Sequence, residues 1–430
     1  MPRVGRFVNR PYKDEKGDNI VKTTPVPMNE ETKRAFQLIV FFGLISLFGD
    51  IVYEGARSVN GPYLKTLSAN AAMVGLIAGL GEFAGYALRL FSGMLADRTK
   101  AYWVFTFIGY GLIIAVPMLA LTGVWQVAAV LMVAERLGKA IRAPAKDAIV
   151  SSAAKRVGTG KGFAIQEVMD QFGALIGPLI FAAYFALTGG GVKTAVDYRH
   201  GYGLFWIPFA LVMIFAVIAY TKVPDPTKLE PPKKDGEPEK ITKLFWIYNA
   251  FSFTTVFGFI SFALIGFHFK ANNVISDTMI PIFYAVAMVA DGIAAYVMGN
   301  WYDFMKEKLK HHGGGLITLA SMPVLTAIIP FLAFTLNPWL ALGAAVLWGV
   351  VMGAHETIMK AGIADITPMK KRGTGYGIFN FTYGLAMLGG SYIAGILYEI
   401  SLPALCWGVA GVQVLAVVVF LILKKEIKTT

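Results

Sequence analysis

Residues 103–123 read WVFTFIGYGLIIAVPMLALTG, and residues 402–423 read LPALCWGVAGVQVLAVVVFLIL. Each run holds about 20 residues without one charge, long enough for a helix to cross the hydrocarbon core of a bilayer. The chain around them has the same character. Its 430 residues are 56% hydrophobic and only 15% charged, with a mean hydropathy of +0.58. Soluble domains carry about 25% charged residues, so a conventional soluble enzyme is excluded. Twelve crossings would use roughly 240 to 300 residues and leave the remainder for loops and tails. The apolar pattern predicts helices near 37–66, 71–96, 103–122, 125–151, 161–188, 202–221, 245–269, 275–299, 315–336, 338–365, 375–399 and 401–423. The expected class is an all-α polytopic membrane protein.

The formal charge of +12 does not point to nucleic acid, because it lies on one side of the predicted membrane. Most of the 39 Lys and Arg fall in the N-terminal segment, the loops after even-numbered helices and the C-terminal segment. Lys65, Lys193, Arg199 and Lys270 stand on the opposite side. Cytoplasmic loops carry the excess of Lys and Arg, which places both termini in the cytoplasm and the chain in the inner (plasma) membrane. The first 36 residues lack an apolar signal core and read as a cytoplasmic tail. Cys406 is the single cysteine, so an intrachain disulfide and a thiolate zinc site are both excluded.

The segment VPDPTKLEPPKKDGEPEK at 223–240 is too polar and Pro-rich to pack, and reads as a linker between two halves. Internal repetition supports that division. Gly93-Met-Leu-Ala-Asp97 after the second helix is echoed by Gly299-Asn-Trp-Tyr-Asp303 after the eighth. Lys155-Arg156-Val157-Gly158-Thr159-Gly160 before the fifth helix is echoed by Lys370-Lys371-Arg372-Gly373-Thr374-Gly375 before the eleventh. Two echoes at nearly the same separation argue for parallel six-helix repeats. The expected organisation is a tail (1–36), a first bundle (37–221), a cytoplasmic linker (222–244), a second bundle (245–423) and a short tail (424–430).

These residues carry a family resemblance. Gly93-Met-Leu-Ala-Asp97-Arg98-Thr-Lys100 resembles the loop signature after the second helix of the major facilitator superfamily, with Thr99 and Ala101 in place of a second Gly and an Arg-Lys pair. Arg136-Leu-Gly138-Lys139-Ala-Ile-Arg142-Ala-Pro144-Ala-Lys146-Asp147-Ala is similar to the fourth-helix signature of a prokaryotic subgroup, R-x-G-K-G-I-R-x-x-P-R-D-A. It departs at Ala140 and Lys146, and Pro144 comes one residue early. Gly173-Ala-Leu-Ile-Gly177-Pro178 resembles the fifth-helix motif common in antiporters, with Phe181-Ala182 where the family has Gly-Gly. The resemblance implies two pseudo-symmetric six-helix bundles around a central cavity, with every third helix facing lipid.

A charge inside the membrane is costly unless it faces a cavity or a partner. The predicted cores of helices 3, 6, 9 and 12 carry no Asp, Glu, Lys, Arg or His, which matches the peripheral set that the resemblance implies. The other helices hold the charges at helical spacing. Asp50, Glu54 and Arg57 share one face, as do Glu82, Tyr86 and Arg89. Glu135, Lys139, Arg142 and Lys146 form a third stripe, and Gln166, Asp170, Gly173 and Gly177 a fourth, where small residues admit a neighbouring helix. Asp291, His355, Glu356 and Lys360 lie in the second half.

From these, Asp50, Glu54 and Asp170 are the expected proton-coupling groups. Arg142, Lys139, Glu135, Asp291 and Glu356, with the polar residues Tyr248, Asn249, Asn380 and Tyr383, are the expected substrate contacts. Asp97, Arg98 and Asp303 are the expected gating residues, with Asp97 and Arg98 forming a latch between the halves. Structural pairing of the fourth-helix stripe with neighbouring acids remains open beside substrate contact, since seven acids face six bases in the first-half helices. His311-His312 reads as solvated loop.

Gly158-Thr-Gly160-Lys161-Gly162 is not a phosphate loop, because Gly162 replaces the required Ser or Thr and no strand precedes it. Neither a nucleophile–base pair nor a metal triad for hydrolysis is present among the five His and their neighbours. The chain is therefore not read as an enzyme, and no cofactor is expected. A channel would not explain the repeat and its paired loops. The expected function is secondary transport by alternating access. More finely, the residues suggest proton-coupled export of a small organic solute by a monomer. An alternative reading makes Asp50, Glu54 and Asp170 hard ligands in a divalent-cation exporter. A third reading is a non-transporting receptor or assembly factor.

Overall fold

The computed structural model describes residues 30–189, 191–225, 241–309, 314–367 and 371–427, with four two-residue pieces of the N-terminal segment. Among the described residues the chain forms twelve long helical segments. In the first half these are α1 (Glu30–Thr66), α2 (Ala71–Thr99), α3 (Tyr102–Leu121), α4 (Trp125–Val157), α5 (Thr159–Leu187) and α6 (Ala195–Lys222). The second half has α7 (Lys243–Ala271), α8 (Met279–Leu309), α9 (Gly314–Ala333), α10 (Pro338–Ile366), α11 (Arg372–Ile400) and α12 (Leu402–Ile427). Eleven of them are long and apolar enough to cross a membrane by composition alone. The exception is α4, whose stripe of charges breaks the apolar run. Most of the proposed linker, the His311-His312 pair and Lys370 lie outside the described residues.

Three differences from the sequence reading have physical causes. First, α1 begins at Glu30, so the polar tail is shorter than 36 residues. Second, α6 starts at Ala195 through an amphipathic turn whose Thr194 and Asp197 form a reciprocal capping box. Third, α7 is broken between Phe257 and Phe262. Backbone groups freed inside a bilayer need new partners. The Trp348 indole donates to the Ile260 carbonyl at 2.8 Å, and the Gln413 amide to the Thr255 carbonyl at 2.9 Å.

α1 packs on α7, α2 on α11 and α5 on α8, and these are the most extensive contacts between the halves, with smaller ones between α1 and α8 and between α2 and α7. α3, α6, α9 and α12 pack on members of their own half. Their outward residues, such as Ile207, Val324, Trp407 and Val414, are exposed, as lipid-facing positions require. The small residues of the motifs set the approach of the helices. A Cβ on Gly177 would lie 2.4 Å from the Ile51 carbonyl of α1, and one on Gly138 would lie 2.7 Å from the Gly109 carbonyl of α3. Across the halves, a Cβ on Gly75 would lie 2.2 Å from the Ser391 carbonyl, and one on Gly395 would lie 2.5 Å from that of Ala71.

Candidate functional site

The charged faces of α1, α2, α4, α5, α8 and α10 converge on a cavity of about 1100 Å3. Ser46, Asp50, Arg89, Lys146, Asp147 and Lys360 in its lining lie toward the face on which α1 begins and α12 ends, here called the termini face. A second cavity of about 820 Å3 continues toward the opposite face, past Asn60, Leu64 and Val74. Tyr53, Arg57 and Met352 line both, so they form the partition.

The partition is held by ion pairs. Arg57 donates to Glu82 at 2.8 Å and to Glu54 at 3.3 Å. Arg136 lies 3.3 Å from Glu135 and 3.9 Å from Glu82, and Arg142 lies 3.8 Å from Glu135. Across the halves, the Tyr284 hydroxyl of α8 donates to Glu54 in a short hydrogen bond. Tyr53 receives the Lys139 ammonium at its hydroxyl, 3.1 Å away, and stacks beneath the same ammonium at 4.4 Å from its ring centre. Buried charges survive in hydrocarbon only when paired and hydrogen-bonded this closely.

Asp50 lies on the cavity wall, with Asp170, Lys139, Lys146 and Glu54 as its electrostatic neighbours. Lys146 bridges Ser46 at 2.8 Å and Asp170 at 3.8 Å. The expected coupling residues are therefore brought together. Among the described residues no three His, Cys, Asp or Glu side chains are grouped to hold an ion. In this conformation Glu54 is paired with Arg57 and Tyr284, and Asp170 lies 3.8 Å from Lys146.

The expected substrate contacts divide. Lys139, Arg142, Asp291 and Glu356 line the large cavity. Glu135 lines only the smaller one and is taken by its two arginines. Tyr248, Asn249 and Asn380 lie in neither lining in this conformation. Tyr248 donates to the Met359 carbonyl at 2.8 Å, and Asn249 accepts from Thr382 at 2.8 Å, so both serve packing within the second half. Tyr383 also lies outside the linings and instead packs against Tyr86 of α2, with ring centres 4.7 Å apart.

Asp97, Arg98 and Asp303 are exposed at the helix ends on the termini face. Asp97 accepts from Tyr102 at 3.0 Å, within its own half, so the expected cross-half latch is not engaged in this conformation. The opposite face is tied across the halves by a cluster that sequence reasoning missed. Asp277, between α7 and α8, accepts from the Lys193 backbone at 2.6 Å and from Tyr198 at 2.8 Å. Lys270 donates to the same carboxylate at 2.6 Å and to the Lys193 carbonyl at 2.7 Å. Glu399 of α11 accepts the first free amide of α2, Ala71, at 2.6 Å. Loop residues far apart in sequence leave no periodic signal for such a cluster, and Tyr53 and Tyr284 were hidden among other aromatics.

The Major Facilitator Superfamily model matches residues 39–359 and 249–429. The chain belongs to that superfamily. An uncharacterized protein of Mycobacterium tuberculosis is 37% identical over 391 residues, covering 89% of this chain and 92% of its own. An uncharacterized MFS-type transporter of Methanocaldococcus jannaschii is 25% identical over 388 residues, covering 87% and 91%. In fold, the chain is similar to a bacterial homolog of the human lysosomal transporter Spinster, solved in an inward-facing and occupied conformation, with a TM-score of 0.62 at 17% identity and coverage of 92% and 96%. The superfamily member is thus a multi-pass membrane transporter and not an enzyme, and its cargo is a small molecule.

Proposed function

We propose that this transporter is a proton-coupled antiporter that exports a small organic solute from the cytoplasm across the plasma membrane. The observation that carries the reading is Asp50, a cavity-wall carboxylate set between the acid Asp170 and the bases Lys139 and Lys146. When Asp50 is ionised, the two ammonium groups are drawn to it; when it takes a proton, they are free to turn to cargo or to other acids. Competition of this kind lets one proton bias two access conformations. The partition of Tyr53, Arg57, Glu54 and Tyr284 then separates the two cavities that alternating access requires.

On the positive-inside reading, the termini face is cytoplasmic and the large cavity opens toward it, with the Asp277 cluster as the external seal. Asp97 and Arg98 act as the latch of the cytoplasmic side when that side closes. Residues 37–221 and 245–423 are the two moving bodies, and 222–244 is their tether. A single chain encloses the whole cavity, which suits a monomer.

The test uses vesicles carrying the protein, a pH-sensitive dye inside, and a panel of small organic solutes added outside. Solute-evoked proton flux is expected in the parent. Asp50→Asn copies the protonated form, so it should keep solute exchange and lose pH-driven accumulation. Parent-like, pH-dependent accumulation in that variant would refute the assignment of Asp50.

A further inference from the structure

Resting on the transport reading and deepening it, we propose that the cavity recognises a protonated amine on its cargo, with Asp291 of α8 and Glu356 of α10 as the receiving carboxylates. Asp291 is only 6% exposed, yet it stands in the lining of the large cavity and its Oδ1 has no hydrogen-bond partner. The charged groups that act on it most strongly are the acids Glu356, Glu54 and Glu167, with the Gln171 amide beside it. Among the described residues, neither Asp291 nor Glu356 forms an ion pair.

Most cations that line the cavity are otherwise directed. Arg57 is spent on Glu54 and Glu82, Lys146 on Asp170 and Arg142 on Glu135. Arg89 donates to the Gly85 carbonyl and lies over the Tyr86 ring. Lys360, one turn from Glu356, has Asp147 among its electrostatic neighbours and forms no ion pair with either acid. Lys139 is held by the Tyr53 hydroxyl while feeling the charge of Glu356. A buried carboxylate beside a half-buried one, with no ion pair to either, is expensive inside a membrane, and the missing partner must be able to enter and leave. A substrate ammonium meets that need. A divalent ion does not, because the three-donor grouping it requires is lacking among the described residues. Met288 and Met352, one turn from the two acids, line the same cavity and offer an adaptable apolar seat for the body attached to the amine.

The experiment compares three probes of matched size on the purified full-length protein in detergent: 4-phenylbutylamine, 4-phenylbutanol and 4-phenylbutyrate. Binding is read by thermal shift and by calorimetry. The amine is expected to bind tightest. Asp291→Asn and Glu356→Gln should each weaken it at least about tenfold, the loss expected for one charged contact, while leaving the alcohol unchanged. Equal binding of amine and alcohol, or tighter binding of the carboxylate, overturns the proposal. So does full amine affinity in either variant. Glu356→Gln decides if Asp291→Asn does not fold, and the three-probe comparison on the parent needs no variant. No gradient is imposed, so failure here is separate from failure of the Asp50 assay in vesicles.

Discussion

At the partition between the cavities Arg57 joins Glu54 to Glu82, and Arg136 joins Glu82 to Glu135, whereas on the second-half wall of the large cavity Asp291 and Glu356 form no ion pair among the described residues. The first set is paired by the protein's own arginines and ties α1, α2 and α4 together, although the Glu135 Oε1 is left without a hydrogen bond. The second set has no such pairing. On the proposed reading, the charges that hold the architecture lie at the partition and those that meet the cargo lie on the wall of the large cavity. Sequence spacing alone displays both as stripes of charged residues.

The sharpest way to break this comparison is to remove a charge from the paired wall. Arg57→Ala would strand Glu54 and Glu82 in the partition, and a loss of about 3 kcal/mol or more is expected. Thermal unfolding in detergent checks it; an unchanged midpoint would mean that the pairs are dispensable. Next in size is Arg142→Lys. Arg142 reaches Glu135, the Gly109 carbonyl and the face of Tyr110 together, and an ammonium cannot do all three. Turnover in vesicles should fall about tenfold, equivalent to about 1.4 kcal/mol at the barrier. A parent rate across pH would reduce Arg142 to one positive charge among several.

The other wall should respond in the reverse manner. Glu356→Gln removes a charge that forms no pair, so its unfolding midpoint should match or exceed the parent's while transport of amines is lost. A drop of more than about 1 kcal/mol would show that Glu356 has a structural partner after all. The smallest stability effect belongs to Asp97→Asn. Asp97 is exposed and bonded only within its half in this conformation, so stability should move by no more than about 0.5 kcal/mol. Its transport rate should nevertheless fall, because the closed form of the termini face lacks its latch. Normal kinetics in that variant would remove the gating role.

The helices were legible because apolar runs of membrane length have few other uses, and the fourth helix was found despite its charges because they repeat at helical spacing. The first-half acids and bases were legible for the same reason. What sequence could not resolve is which polar face meets water and which meets another helix. Tyr248 and Asn249 sit at spacing that suits a cavity, but that face packs on α10 and α11. Partners across the halves were equally hidden. Tyr284 and Glu54 are far apart in the chain, and the Asp277 cluster is assembled from two loops. The break in α7 has no proline, and its signals are only Gly258 and Ser261 at the two caps; Trp348 and Gln413 of other helices, which satisfy the freed carbonyls, could not be read from the local sequence.

The glycine contact between α2 and α11 bears on how the rate of transport responds to temperature. Gly75 and Gly395 bring peptide groups of the two halves against each other where larger residues would place side chains. When the far side opens, water wets mainly peptide and methyl surface there. Polar surface lowers the heat capacity on hydration and apolar surface raises it, so the two contributions largely cancel. That contact therefore adds little to the heat-capacity change of opening, and Gly75→Leu, which places apolar surface there, should raise that change and curve the Arrhenius line further as well as slow the step.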